Sequence, residues 1–249
     1  MRSLVVTGVI ASAAFSAAIA LSPHPAHATL QIAGTINGVN FLCVDNAACD
    51  LNGATGTIEL ANQIIGGITV DGSIQTSRGT PANPGPLDIL NTSSLSIINS
   101  TASTITGAVA VSDTSFTAPV SSVALSASGV WETAVGSSAT LQWYADTANA
   151  QGADNATDAP GTLLDTFVST AVVVADSLSD NNTAPFSALA PFSMTETVNF
   201  SLTSGGTLLN RGQTMLAAVD TPEPASMALL WAGLVALGVV RPRVRVRGS

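Results

Sequence analysis

The sequence predicts an all-β protein, with a single jelly-roll-like β-sandwich of about ten strands over residues 29–220. Three observations predict it. First, Phe192–Thr203 alternates strictly: five of its six even positions are apolar and every odd one is Ser, Thr or Asn. That is the period of a strand with one buried face. Second, turn signals recur at short intervals, as Asn37-Gly38, Asn52-Gly53, Gly66-Gly67 and the proline-rich Pro81–Pro86 stretch. Third, no run in 29–220 has the spacing of an amphipathic helix. No repeat of fixed period points to a solenoid or propeller.

In chain order, the strand candidates are Leu30–Ile36, Val39–Val44, Thr57–Ala61, Ile68–Thr76, Leu95–Asn99 and Thr104–Val111. Val120–Trp131, Ala139–Ala145 and Leu163–Ala175 follow, then Phe192–Thr203 and Thr214–Val219. Leu163–Ala175 is apolar enough for a helix, but Thr166, Val168, Thr170 and Val172–Val174 favour a strand through β-branching. Gly205-Gly206 turns the chain into Thr207-Leu208-Leu209 as a hairpin. Glu196 breaks the alternation and is assigned to a strand bend or to solvent. Gln151–Pro160 reads as a mobile loop. Ser, Thr, Asn and Gly richness is shared with disordered chains, but 46% of the chain is hydrophobic and residues 29–220 keep regularly placed core positions.

The charges are distributed unevenly. The chain has 7 basic and 16 acidic residues, and no basic residue is Lys. Arg2 opens the chain, while Arg241, Arg243, Arg245 and Arg247 close it. Residues 29–220 therefore hold 2 basic against 15 acidic side chains, a net charge of −13. Such a surface repels phosphate backbones, so nucleic acid is excluded as a partner.

Both ends carry targeting patterns. Arg2, the apolar run Leu4–Leu21, the Ser22-Pro23-His24-Pro25 break and Ala26-His27-Ala28 make a secretory signal peptide over 1–28. Signal peptidase is expected to cut after Ala28. Residues 221–249 contain Pro222-Glu223-Pro224, an uncharged segment Ala225–Val240 and the Arg241–Arg247 cluster. Sixteen residues at about 1.5 Å each reach roughly 24 Å, a short transmembrane helix that snorkelling arginines can complete. The arginines act as the cytoplasmic stop. With export at the N-terminus, 29–220 is expected outside the cytoplasmic membrane.

This ordered tail resembles the PEP-CTERM sorting signal. A Gram-positive sortase signal would need Leu-Pro-x-Thr-Gly, which is absent. The resemblance implies a membrane-embedded exosortase partner that processes the chain near Pro222, Glu223 and Pro224. It also implies a Gram-negative host that makes exopolysaccharide, with final residence at the cell surface or in the matrix. Phe41–Asp50 is similar to the start of many PEP-CTERM ectodomains, a likeness that carries no assigned activity.

Loss of the signal removes both histidines, His24 and His27, and leaves a chain with neither His nor Lys. A Ser-His-Asp or Cys-His mechanism lacks its imidazole, a Schiff base its amine, and a zinc site its usual ligands. Cys43 and Cys49 are the only cysteines. Outside the cytoplasm they are expected to pair, a staple contributing roughly 2–2.5 kcal/mol. A redox pair would favour C-x-x-C and a thiolate-stabilising surround, which Asp45 and Asp50 oppose.

The leading functional expectation is a non-enzymatic, exported surface or matrix protein associated with exopolysaccharide. The alternative is a carbohydrate-binding module, with a carboxylate-based glycoside hydrolase behind it, for which Glu59, Glu132 and Glu196 are available. Trp131, Trp143 and Tyr144 are the aromatic candidates for a sugar platform, and Trp143 and Tyr144 must point to opposite sides of their strand. No cofactor or metal is expected. The nearest approach to a calcium site is one of two loops rich in oxygen ligands, Asp154-Asn155-Ala156-Thr157-Asp158 and Ser179-Asp180-Asn181-Asn182, neither with EF-hand spacing.

Overall fold

The computed structural model describes residues 30–77, 87–133 and 135–219. The expected signal peptide and sorting tail lie outside the described residues. The described chain forms β1 (Gln31–Ile36), β2 (Val39–Val44), β3 (Thr57–Ile65), β4 (Ile68–Ser77), β5 (Leu87–Asn99) and β6 (Ile105–Phe116). It continues through β7 (Val120–Glu132), β8 (Ser138–Asp146), β9 (Thr162–Thr170), β10 (Asp176–Ala188), β11 (Phe192–Leu202) and β12 (Thr207–Val219). Among the described residues, no helix is long and apolar enough to cross a membrane.

The strands make two six-stranded antiparallel sheets. Sheet I runs β2-β1-β6-β11-β8-β9 and sheet II runs β10-β7-β12-β5-β4-β3. From β5 to β12 the chain passes between the sheets as a jelly roll does: β5, β12, β7 and β10 lie side by side in one, and β6, β11, β8 and β9 in the other. The β1–β2 hairpin widens sheet I beside β6, and β3–β4 widens sheet II beside β5. The expected all-β sandwich is therefore the observed fold.

Alternation explains the core. In β8 the residues Ala139, Leu141, Trp143 and Ala145 face sheet II and are buried, while Gln142 and Tyr144 face outward. Strand β11 sits between β6 and β8, and most of both its faces is covered. Phe192 packs against Phe116 and Phe186, with ring centroids 5.8 and 5.2 Å apart. Trp131 is fully buried and its indole N–H donates to Ser169 Oγ at 3.0 Å. The disulfide forms as expected, Cys43 to Cys49, with Cα atoms 5.8 Å apart. Asp45 and Asp50 serve the turn it closes, accepting N–H bonds from Gly56 and from Asn46, Asn52 and Glu59.

Three expectations need correction. Leu163–Ala175 is not one strand: β9 stops at Thr170, and 171–175 turns the chain into β10. Ala175 takes a positive φ of 57° there, and the Asp176 carboxylate accepts the Val172 N–H at 2.9 Å. Ser179–Asn182, read as a loop, lies inside β10. Glu196 faces neither a bend nor solvent; it points between the sheets and is 1% exposed.

The described chain starts and ends on the same side of the sandwich. Gln31 pairs with Ser112 late in β6, and Val219 pairs with Val120 at the start of β7, just after β6 ends. The turns at 37–38, 66–67, 100–104, 171–175 and 203–206 gather at the other end.

Candidate functional site

The outer face of sheet I is partly roofed by the 147–160 segment, which contains Gln151–Pro160, the loop expected to be mobile. It is instead fastened to the sheet. Gly152 N–H donates to Ser112 Oγ at 3.1 Å, and Gln31 Nε2 donates to Gly152 O at 2.7 Å and Asp154 Oδ1 at 2.8 Å. Ser112 Oγ also meets Thr195 Oγ1 at 2.9 Å. Ala153 joins Ala33 and Ala110 in a small buried cluster on this face. Gly152 is required by close approach. A Cβ there would lie 2.6 Å from Thr195 Oγ1 and 2.7 Å from Pro160 Cδ. The sequence signal was available but ambiguous, since a small-residue segment reads equally as a tether or as a free loop.

Beyond this fastening the roof stands over a cleft of about 190 Å³ lined by Gln142, Tyr144, Ala156, Thr157, Ala159, Thr197 and Asn199. Tyr144 and Gln142 come from β8, and Thr197 and Asn199 from the adjoining β11, with Gln142 in register with Thr197. Tyr144 is half-buried, lies on the outward face of β8 and lines the cleft. Thr157 is positioned by its own turn, both its N–H and its hydroxyl donating to Asn155 Oδ1. The Thr197 hydroxyl is buried and has no hydrogen-bond partner. No carboxylate or cation lines this cleft. The arrangement offers one aromatic face, two side-chain amides and the exposed Thr157 hydroxyl, a donor and acceptor set suited to an uncharged polyol.

The floor of the cleft is braced from within. Gln213, on β12 of sheet II, crosses the core and donates from Nε2 to Gln142 O at 3.0 Å and to Thr197 O at 3.3 Å. Beside it, Glu196 Oε2 accepts the Thr92 hydroxyl at 2.8 Å. Burial raises the Glu196 pKa well above its usual 4.5, outweighing the Thr92 hydroxyl and the nearby Thr92 and Met215 backbone amides, which pull the other way. Oε1 has no hydrogen-bond partner, and neither does Nε1 of Trp143, the cross-strand neighbour of Glu196.

The candidate aromatics therefore separate. Tyr144 reaches the cleft; Trp143 and Trp131 are 0% exposed and belong to the core. Trp143 cannot meet a ligand without unpacking the sandwich. The three glutamates proposed for hydrolysis are also dispersed. Glu196 is interior, Glu132 is exposed at the end of β7, and Glu59 shares a shallow cleft on β3–β4 with Asp71. In the calcium-like loop, Asp154 Oδ1 takes the Gln31 amide and Asp158 Oδ2 takes the Asp154 N–H. In the other, Asn182 donates to Asp165 Oδ2 across the β9–β10 edge. No group of three or more His, Cys, Asp or Glu among the described residues could hold a metal ion.

No protein-family model and no curated protein matches the sequence. Among solved structures, the chain is similar to TmCBM61 in complex with β-1,4-galactotriose, at 7% identity and a TM-score of 0.32, covering 57% of this chain and 86% of that one. It is similar to the C-terminal CBM6 of LamC from Zobellia galactanivorans at 11% identity and a TM-score of 0.24, covering 58% and 87%. A tailspike enzymatic domain of bacteriophage CBA120 matches at 13% identity and a TM-score of 0.27, covering 61% of this chain and 20% of that one. At scores this low, the character of the site rests on the chain's own residues.

Proposed function

We propose that this chain is an exported surface or matrix protein that acts by holding a neutral glycan, without catalysis, in the Tyr144 cleft. The observation that carries this reading is the cleft itself: one half-buried aromatic residue, amides from Gln142 and Asn199, the exposed Thr157 hydroxyl, and no charge among the lining residues. Sugar recognition needs an apolar face for the ring C–H groups and fixed hydrogen-bonding groups for the hydroxyls. In a 29–220 segment of net charge −13, an uncharged cleft admits a neutral chain without repulsion, while the surrounding carboxylates oppose an anionic one. Delivery rests on the terminal patterns, with export by the signal peptide and sorting through Pro222-Glu223-Pro224.

The test uses the full chain in detergent on a printed series of neutral hexose oligosaccharides, from disaccharides to octasaccharides. Binding by the native chain is expected, weakened about tenfold or more in Tyr144→Ala, since one lost stacking face is worth about 1–2 kcal/mol. No binding on the series, or binding untouched by Tyr144→Ala, would sink this reading. Hydrolysis of any member would replace it with an enzymatic one.

A further inference from the structure

A second groove lies on the other side of the sandwich, on the outer face of sheet II. It measures about 650 Å³ and is lined by Ala124, Ser126, Asn181, Thr183, Thr214 and Leu216 among others. These come from β7, β10 and β12, where Asn181 is in register with Ser126, Thr183 with Ala124, and Leu216 with Ala124. The groove is a consequence of small residues. The central strands present Ala, Ser and Thr outward, and the edge strand β10 raises Asn181 and Thr183 as a rim. No ionisable side chain lines it. Of the lining residues, Thr214 donates to Asn91 Oδ1 at 2.9 Å, and Asn182 donates to Asp165 Oδ2 and accepts the Thr183 N–H. The Asn181 amide and the Ser126 and Thr183 hydroxyls face solvent with their hydrogen-bonding capacity open.

This groove and the Tyr144 cleft stand back to back. Gln213 points inward and braces the backbone of Gln142 and Thr197, which floor the cleft. The next residue, Thr214, points outward and floors the groove. One β12 dipeptide thus supports both sites, separated by the thickness of the sandwich.

We propose that the sheet II groove is a second neutral-glycan site, so that one chain grips two polysaccharide strands on opposite faces and cross-links them. The proposal rests on the glycan reading of the Tyr144 cleft and extends it. Neutrality selects the occupant. In an ectodomain of net charge −13, an anionic polymer or a nucleic acid is repelled, and a protein partner would be expected to use apolar anchors. A strip of hydroxyls and amides over small apolar residues matches a flat sugar chain. Two weak sites facing opposite ways gain their effect through multivalency rather than single-site affinity.

Equilibrium dialysis of the full chain in detergent, with the best-binding oligosaccharide of the printed neutral series, measures how many molecules each chain holds. The expected result is two per chain. Tyr144→Ala should remove one, while Ser126→Arg, which fills the groove from an outward position, should remove the other and weaken that site about tenfold or more. An unchanged melting temperature in Ser126→Arg verifies the fold. Asn181→Ala serves as a milder second variant with the same direction. The native chain should also cloud a solution of the parent polysaccharide, and either single variant should not.

One molecule per chain, lost in Tyr144→Ala and kept in Ser126→Arg, overturns the second site and leaves the first standing. One molecule lost in Ser126→Arg and kept in Tyr144→Ala overturns the Tyr144 reading and the cross-linking together. Binding indifferent to both variants, or none at all, overturns both sites.

Discussion

Glu196 shows how far one residue can depart from its sequence pattern. Alternation places it among inward positions, yet a carboxylate ordinarily avoids a core, and solvent was therefore the natural assignment. The structure keeps the alternation and adjusts the chemistry: Thr92 supplies one hydrogen bond and burial favours the protonated acid. A carboxyl whose folded pKa is raised contributes stability that is complete below about 4.5, its unfolded value, and is lost as pH rises through the folded one. Glu196→Gln keeps the shape and removes the titration. Across a pH series of denaturant melts, the variant should gain on the native chain by up to about 1.4 kcal/mol per pH unit above 4.5, then level off. A difference independent of pH would show that Glu196 is ionised in the fold. Gln213 makes a contrasting case, because Gln213→Ala strips two buried carbonyls of a donor. It should cost about 1–3 kcal/mol and weaken glycan binding at the cleft it braces.

At the scale of elements, the strands with apolar-polar alternation or β-branched runs were legible, including β2, β4, β7, β8 and β11. Strand β10 was not. Its sequence, Asp-Ser-Leu-Ser-Asp-Asn-Asn-Thr-Ala-Pro-Phe-Ser-Ala, reads as a polar loop. It pairs only with β7 at the edge of sheet II, where a proline and a row of Asn and Asp are tolerated and discourage further pairing. Gln151–Pro160 is a loop, as read, but its small residues let it approach the sheet closely and hydrogen-bond to it rather than hang free. Gly152→Ala should overpack Thr195 and Pro160, cost about 1–3 kcal/mol and expose 151–160 to limited proteolysis, a region the native chain protects. Equal cleavage in both would mean the roof is not fastened in solution. The Tyr144 cleft was half legible: β8 alternation separates Tyr144 from Trp143, but pairing with β11 and the roof above it are non-local and left no mark in the sequence.

At the scale of the whole molecule, both ends of the described chain leave from one end of the sandwich, so the membrane tether of the sorting proposal would leave both outer faces free. The sorting proposal has its own test. Replacing Pro222, Glu223 and Pro224 by alanine should leave export intact but retain the chain at full length in the inner membrane, because arginines at this density hold a C-terminus in the cytoplasm. Mass spectrometry of native surface material should find peptides up to about Asp220 and none containing Trp231; the intact tail at the surface would contradict exosortase processing. The claim that ties fold to function is glycan contact at Tyr144, and the sequence supplies a direct probe, since Tyr144 is the only tyrosine in the chain. Incorporating 3-fluorotyrosine gives a single ¹⁹F resonance that reports on the cleft. Titration with the best-binding neutral oligosaccharide should shift that resonance in proportion to bound glycan and leave it unmoved with an anionic oligosaccharide. A glycan that binds the protein while the tyrosine resonance stays in place would contradict the account.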